Sequence, residues 1–563
     1  MSAIRFGGIA SGIDTESIIK QMMDIERTKV DRVSQQKQVS LWKQEQFRSI
    51  NSKLANFVID AKLSFGLATT TASGSLLGTN RNAMTWVKKA VSTNESAVSV
   101  SASAGATNGS YNVKVNSLAS NWSSASSDKI SASTDRTSLA TQFFGLDGTD
   151  IINFTIDTNN NGEAKTFTFN KSAGDTSISE MVKEINAADL GVTAIYDAGA
   201  DRFFLQTSNT GAENTIKITD KSTKAFIAGA GSTLKLQHEV SGVYEAVGSA
   251  REYGGTDANI DFGAATGITF SSNDFTLNNI NFSLKDTTAT SFQVNVSADI
   301  DSAFDKIKEF VDNYNKIVDE IDSLTSQKRD SSYMPLTETQ KEAMSDKEVE
   351  LWEERAKAGL LSKDATLLRI GSSSRTGFYQ SVDGVAGNFY HLTQLGITTE
   401  AYSGSSAGGR LQIDEQKLKT ALQQDIDGVM EVLFKEADSS LGGNEDNLSA
   451  EQIKDKRAQS GLVNRLFDNL TSGMKEIVYQ AGPGDDAGLM RKVNPYMLLS
   501  FATKQSSISY IDKGILDYND RIANLERVLS SKEESYWRKY TAMEKALSSM
   551  ESQMTSLTQQ LGM

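Results

Sequence analysis

The stretch GGIASGIDTESIIKQMM, Gly7–Met23, is rich in glycine at first and then apolar at helical spacing. Asp14 is a good N-cap, because its carboxylate can accept hydrogen bonds from the free amides of a first helical turn. Ile13 and Ile18 flank the cap at the two positions of a hydrophobic staple. The stretch therefore predicts a helix that begins after Asp14, and its apolar face has no partner close by in the sequence.

A partner for this face is predicted at the other end of the chain, or in copies of that end in other subunits. Apolar residues recur there in steps of three and four, which is the a/d pattern of a coiled coil. The polar run SSKEES, residues 530–535, divides the pattern and is either a stutter or a joint between two helices. The predicted coil positions are Ile508, Ile511, Ile515, Ile522, Leu525 and Leu529, then Met543, Leu547, Met550, Met554, Leu557 and Leu561.

The N-terminal stripe is less regular than the C-terminal one. We expect Met22, Ile25 and Val33 to supply its contacts. Lys29, Gln36 and Lys43 interrupt it, so the segment is predicted as two helices with a change near Leu41 and Trp42.

The middle of the chain, from about Gly78 to Ser297, alternates apolar and polar residues and is rich in Ser, Thr, Asn and Gly. Strands are predicted on either side of an Asn108-Gly109 turn, and Phe154 is predicted to lie in a hairpin with Phe167. SISEMVKEINAA, residues 177–188, predicts a short helix between hairpins. A β-rich block thus interrupts a helical one, and the fold class is predicted as α+β multidomain, with a coiled coil of the N- and C-terminal helices, a helical domain with a small β element and inserted β-rich domains.

Composition removes several classes of function. The net charge of −14 argues against binding a phosphate backbone, which needs a positive field. The chain has no cysteine, and His238 and His391 are far apart and expected to be surface or partly packed residues. No stretch approaches the roughly 18 apolar residues of a membrane span. The N-terminus lacks the apolar region of a cleaved signal peptide.

Two stretches that resemble ligand-binding motifs each lack a required residue. DTNNNGE begins like a calcium-binding EF-hand loop at Asp157, but its twelfth position is Thr168 in place of the required glutamate. GGIASG lacks the Lys-Ser/Thr of a phosphate loop. We therefore expect no catalytic residue, cofactor or metal, and an enzyme is disfavoured, although a glycan hydrolase acting through carboxylates is kept as an alternative.

Several motifs in the same order resemble the family of flagellar hook-associated protein 2, the bacterial filament caps. They are GIASGIDTESIIKQMMDIER, WKQEQFRSINSKL, SISEMVKEINAADLGVTAIYDAGADRFFLQTS, FDKIKEFVDNYNKI, GLLSKDATLLRI, LGITTE and GGRLQIDEQKLKTAL. YMPLTETQKEAMSDKEVELWEERAKAGLL is similar to members from Gram-positive bacteria. The resemblance covers most of the chain.

The resemblance implies a ring of subunits, a pentamer by expectation, at the tip of the growing flagellum. Terminal helices form legs on the filament, and β-rich domains form a plate that retains exported flagellin and promotes its polymerisation. Expected partners are other copies of the chain, flagellin, hook–filament junction proteins and an export chaperone at the C-terminal helix, with no nucleic acid and no membrane insertion. The subunit is expected to leave the cell through the flagellar export channel.

The changes in composition and periodicity along the chain, together with the resemblance, predict four domains. Residues 1–42 and 516–563 form the coiled-coil leg, and 43–77 and 298–515 the helical leg domain. Residues 78–122 and 237–297 form the β-rich plate, and 123–236 an inserted β-rich domain with a flagellin-type insertion motif. Two alternatives remain at this point: a surface adhesin that uses the β-rich domains, and a fibre tip like that of a phage tail.

Overall fold

The computed structural model describes residues 14–143, 150–159, 164–170, 176–400, 409–442 and 445–560. Ile13 and Leu561, two of the predicted contact residues, lie outside these ranges. The chain forms two compact units, one from its two ends, up to Arg81 and from Ile300 onward, and one from Asn82–Asp299. The first unit is mostly helical and the second mostly β, which confirms the α+β multidomain prediction. The finer division into four domains stays a prediction.

The first element is one long helix, α1, Thr15–Phe65. Asp14 caps it by accepting a 2.9 Å hydrogen bond from the Ser17 amide. The helix ends at Gly66, whose positive φ of 75° suits glycine. The predicted change of helix near Leu41 and Trp42 is wrong, because the buried Trp42 side chain is covered by residues distant in sequence, as described below. A small hairpin follows, β1 Ala68–Thr70 and β2 Leu76–Gly78.

In its described residues, the middle unit consists of short strands and two short α-helices. They are β3 Lys88–Ser92, β4 Val98–Ala102, β5 Gly109–Ser117, β6 Ser123–Ser126, α2 Leu139–Gln142, β7 Ile151–Thr158, β8 Lys165–Asn170, α3 Ile178–Ala187, β9 Val192–Asp197, β10 Arg202–Thr207, β11 Thr215–Asp220, β12 Leu236–Val240, β13 Val243–Ala246, β14 Glu252–Gly254, β15 Ala258–Phe262, β16 Ala265–Phe270, β17 Asp274–Leu277, β18 Ile280–Leu284 and β19 Phe292–Ala298.

Two separate cores form within this unit. One lies between a sheet of order β16-β15-β5-β19-β3 and a sheet of order β17-β18-β4. The other lies between sheets of order β13-β12-β6-β10-β9 and β14-β11-β7-β8. We call the part of the chain that surrounds this second core, residues 122–254, the inserted lobe. A capping box between Ser177 and Glu180 stabilises the N-terminus of helix α3. The helix contributes Ile178, Met181 and Ile185 to the second core.

Local strand pairing follows the sequence in most places. Phe154 lies opposite Phe167 in the hairpin β7–β8, as predicted. The strands around Asn108-Gly109 do not form a hairpin, because β4 pairs with β18 in one sheet and β5 with β15 and β19 in another. Asn-Gly favours a tight turn but does not decide which strands pair across it.

The second half of the helical unit begins at Ile300. Its elements are α4 Ile300–Ser326, α5 Glu338–Glu342, α6 Asp346–Lys357, α7 Ala365–Tyr379, β20 Ile397–Thr399, β21 Leu411–Ile413, α8 Glu415–Phe434, α9 Ala450–Gln459, α10 Leu462–Ala481, α11 Ala487–Val493, α12 Tyr496–Gln505 and α13 Tyr510–Gln560. Helices α4, α7, α8 and α10 pack together, and α1 lies against α4, α10, α11 and α13.

One buried arginine organises the connections in this helical body. Arg465, at the start of α10, donates hydrogen bonds to the backbone carbonyls of Gly377, Gln380, Ser381, Ala458 and Ser460. A guanidinium group can serve several acceptors in one plane, which is why these carbonyls can stabilise it in a buried position. Burial lowers the pKa of Arg465 from its ordinary value.

Candidate assembly surface

Helices α1 and α13 form an antiparallel pair, which we call the terminal helix pair. Gln44 Nε2 donates to Asp512 Oδ1 at 2.7 Å near one end. The Tyr540 hydroxyl lies 3.8 Å from the sulfur of Met22 near the other. Numbers rise along α1 as they fall along α13, so the two ends of the chain run in opposite directions. This is the intramolecular partner that the two apolar stripes required.

The α1 side of the seam coincides with the predicted stripe at Val33 and is shifted by one residue from it at Met22 and Ile25. Its buried apolar residues in this half are Ile19, Val30 and Val33. With Met23 and Glu26 they follow steps of four and three, which places all five on one face. Glu26 on this face forms an ion pair of 2.5 Å with Lys532 of α13, so the face is directed at α13.

The predicted N-terminal contacts are therefore distributed differently. Val33 is buried, and Ile18 and Met22 are half-buried. Ile25 is 72% exposed and does not contribute to this pair, so only its contact with another subunit stays a prediction. The stripe with Ile19 and Val30 is not evident from the sequence, because Glu26 occupies one of its positions and is charged. A search for regular four-and-three spacing that tolerated one charge would have found it.

Lys532 also affects the pKa of Glu26 at the seam. Its hydrogen bond to Glu26 holds the pKa of that carboxyl below its ordinary value, with a smaller contribution from Lys29. The ion pair with Lys532 thus compensates the negative charge of Glu26 at the seam.

Helix α13 is continuous through residues 530–535, so the joint between two helices is excluded. It begins after Ser509, whose hydroxyl accepts from the Asp512 amide. Ile508 precedes that cap and is exposed, so its assignment to the coil is wrong. The remaining predicted positions that are half-buried are Ile511, Ile515, Ile522, Leu525, Leu529 and Leu547.

The last turns of α13 carry an uncovered apolar stripe. Met550, Met554 and Leu557 are 62%, 69% and 58% exposed, and Met543 is exposed as well. Beyond the contact between Tyr540 and Met22, the helix runs on to Gln560 while the described part of α1 begins at Thr15. At 1.5 Å per residue, roughly 20 Å of α13 extends past the first described turn of α1. We call Met550, Met554 and Leu557 the open stripe.

A brace from the helical body holds the middle of α1. Trp42 packs against Ala356 and Leu360, with Tyr333 and Trp352 alongside. The Lys357 ammonium lies 5.3 Å from the centre of the Trp42 ring.

Hydrogen bonds on either side reinforce this brace. Gln35 Nε2 donates to the Pro335 carbonyl at 2.7 Å, and Gln46 Nε2 donates to the Lys357 carbonyl at 2.9 Å. Lys43, predicted to interrupt the stripe, instead pairs with Asp364 at 3.5 Å. Residues 333–360 therefore explain why α1 passes residues 41 and 42 without a break.

Chemistry of other kinds was sought across the described ranges. Within them, no three His, Asp or Glu side chains come together as a metal site would require. No described helix combines the length and apolar character needed to cross a bilayer. The best candidate for a binding surface is thus the open stripe together with the seam beside it, because the apolar side chains of the stripe are exposed.

Comparisons with known proteins address the family of the whole chain. The model of the family described as flagellar hook-associated protein 2 N-terminus matches residues 11–122, and that described as its C-terminus matches residues 255–552. A protein named flagellar hook-associated protein 2, from Halalkalibacterium halodurans, is 34% identical over 575 residues, covering 99% of each chain. The chain belongs to the flagellar hook-associated protein 2 family. The expected family resemblance is thereby confirmed.

Other members of the family are more distant. The hook-associated protein 2 of Thermotoga maritima is 26% identical over 390 residues, 68% of this chain and 52% of that protein. The crystal structure of the D1-D2-D3 domains of the flagellar cap protein FliD from Escherichia coli covers 76% of this chain and 96% of that one, with 20% identity and a TM-score of 0.49. The two family models leave residues 123–254 between them, which is most of the inserted lobe. The adhesin alternative gains no support from these comparisons.

Proposed function

We propose that this protein caps the bacterial flagellar filament. Copies of the chain associate at the filament tip, retain exported flagellin and promote its polymerisation, so that the filament elongates. The observation that carries the proposal is the open stripe at the end of a terminal helix pair, in a chain 34% identical over its length to a hook-associated protein 2.

The open stripe supports docking on a helical partner. Three large apolar side chains at steps of four and three form the seam of a coiled coil that lacks its second strand among the described residues. Burial of such a face is favourable only when a partner of the same pattern covers it. Flagellin subunits and neighbouring copies of the chain are the proposed partners outside the cell. An export chaperone is the proposed partner of the same C-terminal helix before export.

Polar groups within the seam support a leg that can be rearranged. Glu26 and Gln44 contact α13 at positions where a permanent coil would carry apolar residues. Lys29 and Lys43, predicted to interrupt the stripe, lie outside the seam, since Lys29 is largely exposed and Lys43 binds Asp364. A cap must move forward as subunits are added, and a seam of moderate stability is compatible with that movement.

The finer features of the proposal come from the family resemblance. They are a pentameric ring, contacts with hook–filament junction proteins, secretion through the flagellar export channel and residence at the filament tip. The division into a coiled-coil leg, a helical leg domain, a β-rich plate and an inserted domain belongs to the same proposal. Light scattering of the purified protein would give the number of copies.

A deletion strain tests the proposal. Cells without the gene should release unpolymerised flagellin into the medium, and purified protein added from outside should restore filaments. Protein with serine at Met550, Met554 and Leu557 serves as the comparison, since it keeps the whole of α13 and lacks the apolar side chains of the open stripe. Filaments of normal length in the deletion strain would show that the proposal is wrong.

A further inference from the structure

Three aromatic rings join the two sheets of the inserted lobe at one edge of its core. His238 lies on β12, in one sheet, and Tyr253 on β14, in the other, with ring centres 4.5 Å apart. Trp122, next to β6, lies 5.4 Å from Tyr253 and 6.2 Å from His238. All three are buried, and His238 is only 5% exposed. The expectation of a surface or partly packed histidine is therefore wrong for His238.

The imidazole of His238 is poorly prepared to carry a charge. Its Nε2 is buried and makes no hydrogen bond to any described residue, and the same holds for the indole Nε1 of Trp122. A neutral ring with a bare Nε2 tolerates this position at modest cost. A protonated ring would bring a positive charge into the core and an additional N–H donor at Nε2, where no described residue accepts it, which is unfavourable.

Two charged side chains act on the ring from neighbouring strands. Arg251, just before β14, lies over the Tyr253 ring at 5.2 Å and forms an ion pair of 3.6 Å with Glu245 of β13. Glu245 is the cross-strand neighbour of His238. Burial lowers the pKa of His238 most, and Arg251 lowers it further, while Glu245 and a backbone hydrogen bond at Glu239 act in the opposite direction. The charge of Glu245 is shared between Arg251 and the ring, and the combined effect of burial and Arg251 on the pKa is the larger one.

We propose that His238 is an acid-sensitive latch of the inserted lobe: the neutral ring holds the two sheets together through Tyr253 and Trp122, and protonation loosens that contact. The direction follows from proton linkage. A histidine whose pKa is lowered in the closed lobe binds its proton more readily in the opened lobe. The closed lobe is thus favoured above the ordinary histidine range near pH 6.5, and this preference is lost as the pH falls below it. The latch does not depend on the proposed cap function.

The test uses the full chain and its small number of histidines. Exchange of the imidazole carbon-bound hydrogen, followed by mass spectrometry, gives the pKa of each histidine separately. His391 is the internal reference, because it lies in the helical unit and bonds the Tyr379 carbonyl and Thr393. We expect the pKa of His238 to lie below the ordinary value. A value at or above it would overturn the proposal, and this measurement needs no variant to fold.

Amide exchange of the lobe then tests the opening. After correction for intrinsic rates, peptides covering β12 and β14 should exchange faster at pH 5 than at pH 8. The expected factor is set by the measured depression of the His238 pKa, up to tenfold for each unit. His238→Phe keeps an aromatic ring without a titrating group and should abolish this dependence, whereas His391→Gln should keep it. Equal exchange at both pH values in the unmodified protein, or an unchanged dependence in His238→Phe, would contradict the latch.

Discussion

Replacing the open stripe with serine, in the triple variant Met550→Ser, Met554→Ser and Leu557→Ser, should separate assembly from folding. The three side chains are more than half exposed, so their removal deprives the folded subunit of little packing. Exposed substitutions of this kind usually change the free energy of unfolding by about 0.5 kcal/mol or less each. The folded subunit should therefore survive the change.

The cost to assembly follows from the exposed fractions. Full burial of a Met or Leu side chain contributes about 1.5–3 kcal/mol, so covering the exposed part of each is worth about 1–2 kcal/mol. Ordering the side chains on docking offsets about 0.5–1.5 kcal/mol each. At the middle of both ranges the net loss is about 0.5 kcal/mol for each side chain. For the triple variant this makes about 1.5 kcal/mol, which corresponds to a roughly tenfold weaker association at 1.4 kcal/mol per factor of ten.

The assay is filament restoration in the deletion strain by purified protein added from outside, which bypasses export and any export chaperone. Filament length by electron microscopy and flagellin in the medium are the readouts, over a range of protein concentrations. The variant Lys545→Ser, Glu551→Ser and Gln553→Ser is the matched control, because it places three serines in the same helix at exposed polar positions and keeps the net charge. If the open-stripe variant restores full-length filaments at the same concentration as the unmodified protein, the reasoning is refuted.

Three further predictions concern the terminal helix pair and its brace. Ile19→Ala should lower the free energy of unfolding, measured by urea titration, by about 2–4 kcal/mol, because Ile19 is buried. Ile18→Ala should lower it by clearly less. The reverse order would mean that the stripe predicted from the sequence is the one that contacts α13. Trp42→Ala should cost about 3–5 kcal/mol and increase amide exchange around residues 39–46, whereas protection unchanged there would show that the brace is not needed for the continuity of α1. Lys532→Glu should speed amide exchange at the seam and Glu26→Lys with Lys532→Glu should restore it. Because Lys532 lowers the pKa of Glu26, the ion pair should stabilise the helix pair above the ordinary glutamate range, and this stabilisation should decline as the pH falls through the lowered pKa. If the double variant shows no recovery, the ion pair does not stabilise the seam.

Local signals carried much of the fold. The Asp14 cap, the capping box of α3 and the β7–β8 hairpin each depend on residues within one short segment, and each occurs in the structure. Such features are predictable because the groups that satisfy one another are neighbours in sequence. The candidate surface was predicted in part for the same reason, since the spacing of Met550, Met554 and Leu557 follows from the helix alone.

The sequence by itself determined that the two ends are long apolar-striped helices, that β structure fills the middle, and to which family the chain is similar. Tertiary structure decided which side of α1 is the seam, since Glu26 belongs there only because Lys532, from the far end of the chain, neutralises it. It also decided that α1 does not break at Trp42, which Ala356 and Leu360 cover, and that His238 is buried between two sheets. The physical reason is the same in each case. The free energy of a charge, an indole or an imidazole depends on the groups that surround it after folding, and those groups are contributed by distant segments.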